Sequence, residues 1–442
     1  MSGPEHGGGV IELGQADAWV PVETPRPRRG LSGPGRLVLA VLVLAVAVAV
    51  PVRSEPALGA LLHIGTGGSA VTLGGGRIYV IRAGQGLEVY SAHGARLWTR
   101  TLSEAQQLDY GTAGATVIGG RGGPGWTPDT VTVLDPGTGA ERWTRSGVAA
   151  AGRAGRLVVL LDTSQWRSDP PLPPVHLIAV DESTGAPVWD VRVPDGSMPE
   201  YAHAGDISWD LTSLTVLDPD GTLREYDLGT GAVARTSHLQ RPGGPIGSVT
   251  LGPGGRQVAV AGTEVGAGEQ VYDRATGRLL WQVDDGEYRL DPCAPQLWCR
   301  PDGGKLLAYD AATGREAWRV DGFDTVLAAE GGALALGSLG RMDAITGATV
   351  LVVDARTGAV RARLDGWHPV PVQGGGVVVW HRPEGELTAT VGLLNPASGA
   401  VAVSGTGDGW GGQPSCAADD RIVACGVAGD LTAWPRPAAA RP

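Results

Sequence analysis

Residues 306–318 read LLAYDAATGREAW, and this stretch decides the fold. Its first half alternates apolar residues up to Asp310, which is typical of a half-buried β-strand. The carboxylate of Asp310 can accept backbone N–H groups from the turn that follows, and Gly314 supplies the positive φ that closes the turn. A second strand begins at once and carries Trp318. The stretch therefore predicts a β-hairpin.

The same pattern recurs along the chain from about Ser69 onward. The other copies cover residues 87–98, 131–143, 177–189, 223–235, 270–281, 351–363 and 392–403. In seven of the eight copies the marker residue is an aspartate or, once, an asparagine, and these seven residues lie roughly 37 to 46 positions apart. Two more short strands bounded by glycine, such as 77–82 and 257–262, precede most copies. Four antiparallel strands per repeat make one blade of a β-propeller.

The number of copies predicts the number of blades. Eight copies predict an all-β, eight-bladed β-propeller of four-stranded antiparallel blades over residues 69–434. Three C-terminal stretches, 415–418, 421–426 and 431–434, look like further strands, and Leu58–Ile64 could supply a fourth that closes the ring. Because one weak copy could be a distorted half-blade, we predict eight blades, with seven or nine as alternatives.

The repeat resembles the A-x-D-x-x-T-G-x-x-x-W repeat of the pyrroloquinoline-quinone-like (PQQ-like), or quinoprotein, propellers. That superfamily includes quinone-dependent alcohol dehydrogenases and the BamB type of outer-membrane assembly lipoprotein. WD40 propellers are the alternative family, because Trp189-Asp190 and Trp209-Asp210 match their Trp-Asp dipeptide. These two dipeptides, however, recur at no fixed period and lack the Gly-His partner. The resemblance implies that the repeat residues are scaffold and that each tryptophan docks against a neighbouring blade. The sharpest such residues are Asp135, Gly139, Trp143, Asp181, Gly185, Trp189, Asp273, Gly277, Trp281, Asp310, Gly314 and Trp318.

An apolar run at Leu37–Val52, LVLAVLVLAVAVAVPV, precedes the repeats. As a helix it spans about 24 Å, and snorkelling by Arg36 and Arg53 could extend this toward a hydrocarbon core of about 30 Å. Arginines are more numerous before the run than after it, so the positive-inside bias places the N-terminus in the cytoplasm. A cleaved signal peptide is the alternative, because Ala47-Val48-Ala49 fits a small-residue cleavage site.

The chain is thus divided into five segments. These are a disordered cytoplasmic tail (1–36), a membrane-spanning signal anchor (37–52), a linker with the closing strand (53–68), the propeller (69–434) and a disordered C-terminal tail (435–442). Lys305 is the only lysine, and such use of arginine is typical of a GC-rich genome, such as an actinobacterial one. With a net charge of −11 and no basic patch, nucleic acid is not expected as a partner.

The four cysteines form two near pairs, Cys293 with Cys299 and Cys416 with Cys425. Both pairs lie in the exported part of the chain, where oxidation is allowed. The loop inside the first pair is short enough to bring its Cα atoms within bridging reach. A zinc site would require the two distant pairs to converge. We therefore predict two structural disulfides.

Catalytic patterns are scarce. Gly120–Gly125 fits G-x-G-x-x-G, but no helix follows, so the stretch is interpreted as a loop. Quinone-dependent dehydrogenases need a calcium site, a stacking tryptophan and usually an adjacent Cys-Cys pair, and no two cysteines here are neighbours. We therefore predict no catalytic, cofactor-binding or metal-binding residues, and neither PQQ nor calcium as a cofactor.

The functional hypothesis is a non-enzymatic, membrane-anchored extracytoplasmic scaffold that binds a protein, a ligand or an envelope component. A propeller suits this role because it offers a broad rigid face with loops at its ends. The alternatives are a PQQ-dependent dehydrogenase-like enzyme, and an extracytoplasmic ligand sensor that signals to a cytoplasmic partner.

Overall fold

The computed structural model describes residues 60, 62–65, 69–82, 86–102, 106–111, 115–120, 129–162, 176–203, 211–241, 245–263, 268–284, 289–338, 349–371, 376–408, 414–427 and 430–437. The expected tail 1–36 and membrane segment Leu37–Val52 lie outside these residues, as does most of Gly120–Gly125. Across the ranges just given, no helix is long and apolar enough to cross a membrane.

These residues form short antiparallel strands grouped into four-stranded sheets, and each sheet is one blade. The first strand, β1, is Leu62–Gly65. Blade 1 is β2 (Ser69–Gly74), β3 (Arg77–Arg82), β4 (Gly86–Ser91) and β5 (Arg96–Arg100). Blade 2 is β6 (Gln106–Gly111), β7 (Thr116–Gly120), β8 (Thr130–Leu134) and β9 (Glu141–Ser146). Blade 3 is β10 (Val148–Ala154), β11 (Leu157–Leu161), β12 (His176–Asp181) and β13 (Pro187–Arg192).

The next three blades follow the same order. Blade 4 is β14 (Met198–His203), β15 (Leu211–Leu217), β16 (Thr222–Tyr226) and β17 (Val233–His238). Blade 5 is β18 (Ile246–Leu251), β19 (Gln257–Gly262), β20 (Glu269–Asp273) and β21 (Leu279–Val283), with a 3-10 turn at Pro253–Gly255. Blade 6 is β22 (Asp291–Ala294), β23 (Leu297–Asp302), β24 (Lys305–Asp310) and β25 (Glu316–Asp321).

The last blades complete the ring. Blade 7 is β26 (Thr325–Glu330), β27 (Ala333–Gly337), β28 (Thr349–Asp354) and β29 (Val360–Asp365). Blade 8 is β30 (Trp367–Pro371), β31 (Val377–His381), β32 (Ala389–Asn395) and β33 (Ala400–Gly407). Blade 9 joins β34 (Ser415–Ala418), β35 (Ile422–Val427) and β36 (Asp430–Pro435) to β1, in the order β34-β35-β36-β1.

The apolar core of the described residues lies between blades rather than within one central cluster. Buried side chains of each blade pack against those of the next, and this holds around the whole ring. Blade 9 closes the ring onto blade 1, where Leu431 and Ala424 pack with Val71 and Ile78. Burial of apolar surface between blades is the main force that holds such a ring together.

The structure corrects the predicted blade number from eight to nine. Every copy of the repeat, weak or sharp, belongs to a complete four-stranded blade, so none is a half-blade. The repeat motif marks the hairpin between the third and fourth strands of a blade. In blade 9 the fourth strand is β1, from the other end of the described chain, so no such hairpin and no motif can exist there. The closing strand is Leu62–Gly65, and residues 58, 59 and 61 of the predicted Leu58–Ile64 lie outside the described part.

Candidate functional site

The marker aspartates organise the turn that joins the third and fourth strands. Asp181 Oδ1 accepts hydrogen bonds from the backbone N–H groups of Ser183 and Thr184, each at 3.0 Å. The Gly185 N–H donates to the carbonyl oxygen of Asp181 at 2.8 Å, and Gly185 has a φ of 68°. Bonds from the Ser183 and Thr184 side chains and backbone lower the pKa of Asp181 to about 2. Asp135, Asp273 and Asp310 make equivalent turns.

The repeat tryptophans lie in the interfaces between blades. Each indole Nε1 donates to the carbonyl oxygen of the residue that follows the marker aspartate of the next blade. These bonds are Trp143 to Glu182 at 3.0 Å, and Trp189 to Leu228, Trp281 to Ala311 and Trp318 to Ala355, each at 2.8 Å. All four tryptophans are buried.

The repeat glycines provide the space for those indoles. A Cβ on Gly185 would lie 2.7 Å from Cγ of Trp143, and one on Gly314 would lie 2.5 Å from Cγ of Trp281. Gly139 meets the indole of Trp98 in the same way. The aspartate, glycine and tryptophan positions are thus placed at blade contacts. That they serve architecture and no chemistry stays a prediction.

The interface between blades 4 and 5 departs from this pattern. Arg235 stands where blades 1, 2, 3, 5 and 6 carry tryptophan, and it is exposed. Ser237 Oγ instead donates to the carbonyl oxygen of Arg274 at 2.8 Å. A Cβ on Gly277 would lie 1.7 Å from the carbonyl oxygen of His238. Gly277 therefore makes room for a strand backbone rather than for an indole, which the sequence did not indicate.

Both predicted disulfides are confirmed. Cys293–Cys299 joins β22 to β23, and Cys416–Cys425 joins β34 to β35, where the two residues are directly opposite. Each bridge links the first two strands of its blade. The described residues contain no free cysteine.

A cavity of about 870 Å³ lies against the first strands of blades 4, 5 and 6, and we call it the inner cleft. First strands of neighbouring blades contact one another, as β14 and β18 do, so they form the inner wall of the ring. The polar residues that line the cleft include Glu200, Ser213, Thr250, Arg289 and Asp291. The Cys293–Cys299 bridge borders the cleft through Cys293.

Glu200 is an acid of the inner cleft whose surroundings shift its pKa. Burial raises its pKa to about 7, and the negative charge of Asp291 acts in the same direction. The positive charge of Arg289 and a hydrogen bond from the Leu251 N–H oppose this shift without cancelling it. Burial also raises the pKa of the neighbouring Tyr201. A carboxyl group with a pKa near 7 can change its charge when a ligand binds.

The two arginines of the inner cleft are held by its walls. Arg289 Nη2 donates to Thr250 Oγ1 at 2.6 Å and to the carbonyl oxygen of Val249 at 3.3 Å. Arg274 is buried and donates to the carbonyl oxygen of Gly255 at 3.0 Å. It also forms an ion pair with Glu225 at 2.8 Å. Arg274 is therefore compensated within the protein.

A buried acid behind the cleft positions the segment that carries Arg289 and Asp291. The Leu290 N–H, between these two residues, donates to Glu269 Oε2 at 2.6 Å. Burial is the main cause that raises the pKa of Glu269, and the hydrogen bond from Leu290 opposes it. This bond fixes the backbone on which both charged side chains stand.

Sequence reasoning missed the inner cleft. Glu200 and Arg289 belong to different blades, and no spacing motif connects them. The sequence shows Glu200 only as an isolated glutamate between two copies of the repeat. Among the residues that the structure describes, no group of three or more His, Cys, Asp or Glu side chains could hold a metal ion.

Several solved structures are similar to this chain at low sequence identity. Among solved structures, BamB from Moraxella catarrhalis is 16% identical, covering 86% of this chain and 99% of its own, with a TM-score of 0.42. Sqt1 from Saccharomyces cerevisiae is 15% identical, covering 86% and 100%, with a TM-score of 0.45. A europium-containing methanol dehydrogenase is 13% identical, covering 86% and 93%, with a TM-score of 0.43. Similarity at this level assigns neither a substrate nor a partner.

The sequence itself has no significant match among curated proteins. A family model described as outer membrane protein assembly factor BamB matches residues 127–287 and 219–365, which together cover more than half of the chain. The resemblance inferred from the repeat is thereby confirmed, and the chain belongs to this BamB-like family of PQQ-like β-propellers.

Proposed function

We propose that the protein is a membrane-anchored, extracytoplasmic binding scaffold with no enzyme activity of its own. One observation carries this proposal. The recurring carboxylates and indoles are engaged in turns and blade contacts, as Asp181 and Trp143 are, while the inner cleft is open. A rigid ring with an open cleft suits binding, and membership of the BamB-like family supports the same role.

The proposed location rests on the apolar run Leu37–Val52 and the arginines before it. The two disulfides support it, because such bonds persist outside the reducing cytosol. Alkaline phosphatase fused after Pro442 should be active, and the same enzyme fused at Gly30 should be inactive. Activity of the Gly30 fusion would refute the orientation, and a mature N-terminus at Val50 would establish cleavage instead.

Binding is tested by crosslinking and affinity capture of the full-length protein from native membranes. A specific partner should be captured in saturable amounts and should be displaced by untagged protein. A variant with Cys293 and Cys299 both replaced by alanine tests whether capture of the partner depends on the wall of the inner cleft. If untagged protein displaces none of the captured components, the proposed scaffold function is contradicted.

The alternative function is a PQQ-dependent dehydrogenase-like enzyme, because quinone enzymes share the repeat of this family. Titration with PQQ and calcium distinguishes this alternative from a scaffold without enzyme activity. We expect neither to raise the melting temperature. Saturable binding at a hundredfold excess over the dissociation constant would add about 2.7 kcal/mol to the free energy of unfolding, which a melting experiment detects. Such a shift, together with dye reduction on an alcohol or a sugar, would favour the enzyme.

A further inference from the structure

The two disulfides lie on the two shortest first strands of the ring. β22 and β34 have four residues each, whereas the other first strands have five to seven. We propose that the Cys293–Cys299 bridge is a reducible switch of the inner cleft, and that a dithiol is the co-reactant that opens it. This inference rests on the binding function proposed above where it concerns a partner, and it adds the regulation of that site.

The backbone ladder between β22 and β23 is irregular. Its register passes over Cys293, because the pairs on either side of the irregularity are formed by Pro292 and Ala294. Pro292 has no backbone N–H and therefore brings no donor to the strand. The disulfide thus joins β22 to β23 at the position where regular pairing is interrupted. Backbone pairing contributes little at this position, and the covalent bond holds the strand there.

The second bridge lies on a regular ladder. Residues Ser415–Ala418 of β34 pair without interruption with β35, and Cys416 stands directly opposite Cys425. β34 also packs against β2 of blade 1 and against β30 and β31 of blade 8. Loss of this bridge therefore leaves β34 held by its ladder and by two neighbouring blades. The chain thus contains its own matched control for the bridge at the cleft.

Two hydrogen bonds define the segment that the bridge of blade 6 controls. On one side the Leu290 N–H donates to Glu269 Oε2 at 2.6 Å. On the other side the Ala311 N–H donates to the Gln296 carbonyl oxygen at 2.9 Å. Between these anchors, residues 291–295 line the inner cleft without a gap. A change in the position of this segment therefore changes the wall of the cleft.

The chemistry is thiol–disulfide exchange. A thiolate of the dithiol attacks one sulfur of the Cys293–Cys299 bond, and the second thiol of the reductant resolves the mixed disulfide that forms. The S–S bond of the protein takes up two electrons and two protons and becomes two thiols, while the dithiol is oxidised to a disulfide. Cys293 borders the inner cleft and is 6% exposed, so the cleft is the route by which a reductant reaches this bridge.

The test is hydrogen–deuterium exchange of the full-length protein in detergent, measured by mass spectrometry with and without dithiothreitol, the dithiol used as the probe. The Cys416→Ala, Cys425→Ala double variant retains only the Cys293–Cys299 bridge. In this variant dithiothreitol should raise the exchange rate of residues 291–297 about tenfold or more, because the covalent link no longer opposes local opening. Alkylation should detect two thiols per molecule after reduction and none before.

The Cys293→Ala, Cys299→Ala double variant is the converse. Its residues 291–297 should exchange about tenfold faster than those of the wild type even without dithiothreitol. Reduction of its remaining bridge should change the exchange rate of residues 415–418 by less than about threefold, because the ladder and the neighbouring blades hold β34. Reduced wild-type protein gives the same comparison of the two segments if a variant does not fold.

Three outcomes would overturn the inference. The first is that exchange of residues 291–297 does not respond to reduction, and the second is that residues 415–418 respond as strongly. The third is equal capture of the partner by the wild type and by the Cys293→Ala, Cys299→Ala variant, because the bridge then does not control binding. If no partner is captured at all, the scaffold function fails, and the exchange measurement alone decides the inference because it requires no partner.

Discussion

The contact of Trp318 in blade 6 with Gly358 in blade 7 makes a quantitative prediction. The indole is 7% exposed, and its Nε1 donates to the Ala355 carbonyl oxygen at 2.8 Å. Gly358 has a φ of 68°, and a Cβ there would lie 2.7 Å from Cγ and 2.8 Å from Cβ of Trp318. The indole of Trp318 and the backbone of Gly358 are both held in place, so a methyl group added to Gly358 has no free space.

Gly358→Ala should therefore have two separable costs. The left-handed backbone costs a residue with a Cβ about 1–2 kcal/mol. Overlap with the indole should add about 1–3 kcal/mol, the usual range for overpacking. Gly332→Ala is the matched control in the same blade, because Gly332 has a φ of 71° and no atom within 4 Å of the added Cβ. In Gly332→Ala the free energy of unfolding should fall only by the cost of the left-handed backbone.

The assay is urea unfolding of the full-length protein followed by far-UV circular dichroism, which does not depend on tryptophan emission. In a Trp318→Ala background, itself about 3–5 kcal/mol less stable, Gly358→Ala should cost less than in the wild type. It should still cost more than Gly332→Ala, because the Cβ of residue 318 remains 2.8 Å from the added Cβ. The difference between the two backgrounds is the coupling energy, about 1–3 kcal/mol. An equal cost of Gly358→Ala in both backgrounds would refute the docking of the indole on the glycine.

Three further outcomes are expected. Replacing Cys416 and Cys425 with alanine should lower the free energy of unfolding by about 2–3 kcal/mol, and peptide mapping without reductant should recover this pair uncrossed. The pKa of Asp354 is lowered from 3.8 to about 2, chiefly by a bond from an arginine side chain, so its stabilisation is complete above about pH 4 and lost as the pH falls through 2. Acid unfolding of Asp354→Asn should lack that share of the pH dependence. Ser237→Ala should cost about 1 kcal/mol, whereas Thr236→Ala, at an exposed neighbour, should be neutral.

Local chemistry explains why much of the fold could be predicted. The strands on either side of Asp310 and the turn between them depend on residues within a few positions of one another. The same local rule places Trp318 where it reaches the next blade. Hairpins of this kind form through local interactions that do not depend on the rest of the propeller. They can therefore be predicted from the local sequence alone.

Features that depend on distant pairing could not be predicted in the same way. β1 belongs to blade 9 because Leu62–Gly65 pairs with β36, and no local pattern marks that pairing. A closing strand was expected within residues 58–64, but the prediction of eight blades was wrong because blade 9 has no copy of the motif and no weak copy is a half-blade. At the interface of blades 4 and 5, the exposed Arg235 and the bond from Ser237 replace a tryptophan contact, and a weak copy of the motif does not reveal its substitute.

The inner cleft escaped prediction because of where the repeat lies within a blade. The motif covers the third and fourth strands, as in β24 and β25, where most of the blades make the same contact with their neighbour. The first strands line the inside of the ring, and there residues can differ from blade to blade without disturbing those contacts. Glu200 and Asp291 stand on such strands. The residues that line the inner cleft therefore lie where the repeat signal is weakest, and the regular spacing of the hairpins does not indicate them.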